Sequence, residues 1–124
     1  MSNPPKLKFR DIDPLLDYYD DGNGNQYSVA RLIDDTKKLV PFDAPLSAIN
    51  LSGAIWDGAD MFDLAFHCKK VNEADLSIPI ILSWNGAIAD GRHRVIKAII
   101  KGKRTIKAVR MTWQPKPCRV RPDK

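Results

Sequence analysis

Five consecutive residues, Asp90-Gly91-Arg92-His93-Arg94, place an acid, a glycine, an imidazole and two guanidinium groups side by side. The apolar positions that follow, Val95, Ile96, Ile99 and Ile100, recur at helical spacing, so the five residues open a helix. A helix N-terminus carries partial positive charge and unpaired N–H groups, which favours acids and disfavours cations. Asp90 is expected as the N-cap, yet Arg92, His93 and Arg94 crowd the first turn. An anion resolves the conflict. A phosphate would accept backbone N–H bonds from the turn and charge-assisted bonds from the arginines, and Gly91 would let the backbone come close. Gly91, Arg92, His93 and Arg94 are therefore the candidate phosphate- or nucleotide-binding residues. If the bound group is also turned over, Asp90 and His93 are the candidate catalytic residues. The cofactor implied is then a nucleoside triphosphate with Mg2+, and Glu73 and Asp75 are further acids that a fold could bring near. In the bland alternative the arginines reach outward to acids of the N-terminal half, and Asp90 and His93 only shape the turn.

Several elements must position this junction. Ile78 to Trp84 reads as a strand, Asn85-Gly86 as a two-residue hairpin turn, and Ala87-Ile88-Ala89 as the return. After the helix, Gly102 is the stop, and Lys101, Lys103 and Arg104 sit at the negative end of its dipole. A closing strand follows in which Ile106 and Ala108 alternate with Lys107, Val109 and Met111, leaving the buried face ambiguous. Upstream, Ser28 is a possible cap for a helix carrying Val29, Leu32, Ile33 and Thr36, with Pro41 as its stop. An extended segment, about Phe42 to Leu51, reads as an edge strand because of Pro45. Asp60 caps a second helix whose Met61, Leu64, Ala65, Cys68 and Val71 form one stripe, so Ala65 and Cys68 are expected in the core. His67 lies one position off that stripe and is expected to be a partly exposed structural residue. A zinc site from His67, Cys68, His93 and Cys118 has no usual ligand spacing, and no metal-binding residue is assigned.

With 124 residues, 44% hydrophobic and 28% charged, the chain is sized for one globular domain. Residues 1–26, with Pro4, Pro5, Pro14 and the turn-rich DDGNGNQ, are expected to be an N-terminal arm. Residues 27–114 form the domain, and the Pro-rich residues 115–124 a loosely ordered basic tail. The DDGNGNQ stretch is no calcium loop, because the twelfth position is Ser28 where a bidentate Glu is needed. No apolar run approaches the ~20 residues of a membrane span. The start, MSNPPKLKFRD, has no apolar stretch of a secretory leader, and Cys68 and Cys118 are widely spaced. No membrane association and a cytoplasmic location are expected. Charge is divided along the chain: residues 1–90 carry 8 Lys/Arg against 14 Asp/Glu, residues 91–124 carry 12 against 1. So basic a segment suits DNA or RNA, with Lys103, Arg104, Lys107 and Arg110 the candidate contacts. Their spread over a strand implies weak, salt-sensitive binding without sequence preference. Nothing in the pattern fixes an oligomeric state.

From about Phe42 to Met111 the chain resembles the ParB/sulfiredoxin superfamily. The resemblance is carried by Pro45-Leu46, the helix Met61–Val71, the hairpin PIILSWNGAIA, the box DGRHRVIKAI and the closing strand GKRTIKAVRM. It implies an α+β fold, a small mixed sheet with helices, whose box binds the phosphates of a nucleotide. Gly91 and Arg94 match the box glycine and arginine, and His93 matches the histidine of the sulfiredoxin and free-serine-kinase versions. Sulfiredoxins place a catalytic cysteine directly before that histidine, where this chain has Arg92. Partition proteins carry a further arginine-rich box, where this chain has NLSGAIWDGADM without a basic residue. The resemblance thus implies nucleotide binding in a nucleic-acid-related process and argues against sulfinic acid reduction. The alternatives are an NTP-dependent enzyme of the same fold (NTPase, phosphotransferase or nuclease) and a non-catalytic protein-interaction module.

Overall fold

Ile80, Ile81 and Leu82 are consecutive and all buried. Successive side chains of a strand point to opposite faces, so the sheet holding them must be covered on both sides. The computed structural model, which describes residues 3–9, 17–52 and 60–120, shows how. Its strands are β1 (Tyr18–Asp20), β2 (Asn25–Ser28), β3 (Phe42–Pro45), β4 (Ile80–Leu82), β5 (Ile88–Asp90), β6 (Thr105–Arg110) and β7 (Arg119–Val120). Its helices are α1 (Val29–Thr36), α2 (Met61–Glu73) and α3 (Arg92–Ile100), with a 3-10 turn over Leu46–Ala48. The protein is a small α+β protein with one antiparallel and one mixed sheet. Among the described residues no helix is long and apolar enough to cross a membrane.

The four-stranded sheet runs β3-β6-β4-β5, with β4 and β6 parallel at its centre and antiparallel neighbours outside. One face is aliphatic: Ile80, Leu82, Ile106 and Ala108 pack with Ala44, Leu46 and Ile49, and α3 closes it with Val95 and Ala98. The other face presents Ile81, Ala89, Val109 and Met111 to α1 and to Tyr19 and Tyr27 of the second sheet. β6 thus has buried residues on both faces, Ile106 and Ala108 on one and Val109 on the other, which is why its alternation is ambiguous. That second sheet, β1-β2-β7, is antiparallel. Strands therefore form inside the stretch read as an arm, and the stretch read as a loose tail supplies β7. Trp84 meets Tyr19 and Tyr27 edge-on at 6.0 and 5.0 Å, and the Tyr19 hydroxyl donates to Ser83 Oγ at 3.3 Å.

Local signals held where they were strongest. Ser28 caps α1, accepting from Arg31 N, and Asp60 caps α2, accepting from Asp63 N at 2.8 Å. Asn85-Gly86 turns the hairpin, with Asn85 accepting from the Ser83 hydroxyl and from Ala87 N. Gly102, at φ +70, ends α3 with its N–H on Ile99 O and that of Lys103 on Ala98 O. β3 lies at the sheet edge, as Pro45 required. Three expectations need correction. α1 stops at Thr36, five positions before Pro41, so the proline does not end it; the Thr36 hydroxyl bonds back to Leu32 O within its last turn. In α3 the buried positions are Val95 and Ala98, whereas Ile99 and Ile100 face outward. Finally, α2 buries none of its residues, and Ala65 and Cys68 are exposed. It packs on α3 from outside rather than on a sheet, so its stripe lines a groove instead of a core. Part of NLSGAIWDGADM lies outside the described residues.

Candidate functional site

The junction between β5 and α3 is built around Gly91. Its φ of +107 belongs to the left-handed region that side chains disfavour. A Cβ there would also stand 2.5 Å from Ile80 Cγ2 and 3.2 Å from Arg94 Cζ. Glycine is therefore required by conformation and by the closeness of β4. The N-cap of α3 is Gly91 itself, with no side-chain cap and no acid in the first turn. This corrects the expectation that Asp90 caps the helix. Asp90 is the last residue of β5, paired opposite Ile81, and its carboxylate turns to Arg94.

Arg94 is held on three sides. Its Nη1 donates to the carbonyls of Ile78 and Pro79 at 2.9 and 2.6 Å, and its Nη2 to Asp90 Oδ2 at 2.8 Å. With 14% of its side chain exposed, it staples the chain leading into β4 to the end of β5. A planar fork of donors suits that task in a way a lysine ammonium would not. Arg92 is exposed, and its charge acts on Asp17.

His93 meets His67 from α2, with Nδ1 of His67 and Nε2 of His93 2.8 Å apart. Burial, then His67 and Lys70, push the His93 imidazole below its usual proton affinity. His67 is half-buried, as expected for a structural residue, but its partnership with His93 was not read from the sequence. Helical spacing places no second histidine beside it, and only the packing of α2 on α3 does so.

Two clefts flank the junction and share Asp90, Gly91 and His93 as their common wall. One, of about 280 Å³, is lined also by Asp17, Asp20, His67 and Arg92. The other, of about 370 Å³, is lined also by Lys70, Glu73, Asp75 and Arg94. The fold does bring Glu73 and Asp75 near the junction, but each has a structural task. Glu73 pairs with Lys69 at 2.7 Å, which holds its carboxyl low. Asp75 accepts from the hydroxyl and N–H of Ser77, with the same result. Asp17 and Asp20, from the stretch read as an arm, are the site residues the sequence did not signal. Burial of its inner side and the charge of Asp90 raise the Asp17 carboxyl above its ordinary value.

Among the described residues no group of three or more His, Cys, Asp or Glu side chains could hold a metal ion. No residue is assigned to Mg2+ on these grounds. Lys103, Arg104, Lys107 and Arg110 are all exposed, but none lines either cleft. Strand alternation sets Lys107 and Arg110 on opposite faces of β6.

The fold and the junction define a small α+β protein in which a glycine-capped helix opens between two clefts. No family model, curated protein or solved structure matches this chain.

Proposed function

We propose that this chain is a ParB/sulfiredoxin-like domain that binds the phosphate of a nucleotide at the start of α3, in a nucleic-acid-related process. The observation that carries the reading is the first turn of α3. Gly91 provides no capping side chain, no acid stands in the turn, and Arg92 and His93 line the cleft onto which it opens. Backbone N–H groups at such an end take their partners from water or a ligand. In this arrangement Arg92 and the turn contact the anion, and Arg94 serves by fixing Gly91 against β4. The exposed basic residues of β6 would add weak, salt-sensitive contacts to a nucleic acid backbone.

Calorimetric titration with a panel of nucleotides, with and without Mg2+, tests the proposal. Arg92→Ala is expected to weaken binding by about 1.5–3 kcal/mol, the worth of a hydrogen bond to a charged group. A panel without any binder, or an affinity that Arg92→Ala leaves untouched, would remove the reading. A second reading, an NTP-dependent enzyme, draws on Asp17, Asp20 and Asp90 lining the same cleft as His93. It requires Mg2+-dependent turnover that falls in His93→Ala. Binding with no turnover leaves the non-catalytic domain.

A further inference from the structure

We infer that the His67–His93 bridge is a pH-sensitive latch that holds α2 on α3 and releases it on acidification. The starting point is how shallowly α2 is docked. None of its 13 residues is buried, and Phe62, Leu64, Phe66, His67 and Val71 are only partly covered. Apolar burial so slight stabilises the docked position little; Phe9 rests its ring near Phe62 and Phe66, and polar contacts tie the helix to α3. At its C-terminal end Lys97 Nζ donates to the carbonyls of Asn72 and Ala74 at 2.9 and 2.6 Å. Nearer the middle of the helix stands the histidine bridge.

The two rings meet head to head. A nitrogen separation of 2.8 Å, a centroid separation of 5.1 Å and a tilt of 24° describe near-coplanar imidazoles joined nitrogen to nitrogen. One hydrogen fits in that gap. A neutral ring or a single imidazolium can supply it, since the opposite nitrogen still accepts. Two imidazolium rings would aim two N–H groups at one another, and the bridge would become a repulsion.

The surroundings oppose the second proton. Lys70 on α2 and Arg94 on α3 add positive charge near His93, and the compensating carboxylate, Asp90 of β5, is bound to Arg94. Asp17 and Asp20 face the bridge across one cleft, with Arg92 acting on Asp17. Across the other cleft, Glu73 is engaged by Lys69 and Asp75 by Ser77. Once α2 swings away, the two rings no longer oppose each other's protons, and an imidazole in water takes one up near ~6.5. The released form then binds more protons than the docked one. Docking is therefore full above that range and is lost as pH falls below it. The contacts of Lys97 with the carbonyls of Asn72 and Ala74 keep the C-terminal end of α2 in place as the pivot.

Hydrogen exchange of the α2 amides at pH 7.5 and 5.0, corrected for the intrinsic chemical rate, tests the latch. Protection is expected at pH 7.5 and is expected to fall by up to about tenfold per pH unit per proton taken up below the imidazole range. In His67→Asn the amide can donate to a neutral His93 or accept from a protonated one without titrating, so protection should vary little with pH. Wild-type protection that persists to pH 5.0, or an equal loss in His67→Asn, would overturn the latch. Should His67→Asn leave α2 unprotected at every pH, nitrogen-15 spectra of the wild-type rings decide. Two coupled steps support the latch, and two independent steps at ordinary values overturn it.

Discussion

Helix α3 buries Val95 and Ala98 against the aliphatic face of the sheet, whereas α2, four residues longer, buries nothing. Both carry apolar residues at helical spacing, and both begin at a recognisable boundary. The difference lies in what each helix connects. α3 joins β5 to β6 and lies within the crossover from β4 to the parallel β6, and such a crossover must pass over the sheet face. α2 is placed outside it, and its Leu64, Cys68 and Val71 share a groove of about 490 Å³ with Ile96 and Ile100 of α3. An apolar stripe shows that a helix has a preferred side. What that side touches is decided by the connections before and after it.

Substitutions on the two helices can break or sharpen this contrast. The largest effect is expected at the root of α3, where Gly91→Ala combines a left-handed backbone with a 2.5 Å clash against Ile80. Urea denaturation should show a loss of about 2–5 kcal/mol, the sum of conformational strain and overpacking. A loss near zero would mean that the junction yields, and that α3 is no better fixed than α2. Next come matched truncations. Val95→Ala, at a position 2% exposed, should lower stability by about 1.5–3 kcal/mol. Leu64→Ala, at a position 49% exposed, should stay within about 0.5 kcal/mol. Equal losses would place α2 in the core after all.

The smallest effect concerns Asp17, across the cleft from both helices. Burial and Asp90 raise its folded-state value, so the folded protein holds its proton more readily than the unfolded chain. Its contribution favours folding below the ordinary carboxyl range and is lost as pH rises through the raised value. Asp17→Asn should therefore shift the urea midpoint slightly upward at pH 7 and leave it unchanged at pH 3. A shift of equal size at both pH values would point to packing rather than charge.

What could be read from the sequence was local. Ser28, Asp60, Asn85-Gly86 and Gly102 each act within a few residues of themselves, so their chemistry is complete in a short window. The tendency of Gly91 to stand at a strand-to-helix turn belonged to the same class, although the cap role fell to Gly91 rather than Asp90. Partnerships over long separations were not legible. Nothing near His67 indicates His93, and nothing in residues 17–28 indicates that Tyr19 and Tyr27 close the second face of the main sheet. Short strands such as β1 and β7 have too few residues to show alternation, and they exist because other strands pair with them.

The pairing of β7 with β2 sets Asn25 opposite Val120, and the Cys118 N–H reaches Gln26 O at 2.8 Å. During synthesis from the N-terminus, β1 and β2 emerge early as a hairpin that, on its own, is marginal in water. Its third strand and the central β6 are made much later. The hydroxyl-rich aromatic patch of Tyr19 and Tyr27 therefore has no permanent cover while the middle of the chain is being translated. Contacts that span so much sequence form slowly, and a half-made chain with such a surface is prone to stick to its neighbours. A ribosome that stalls before residue 118 would leave this sheet unfinished, whatever the state of the helices.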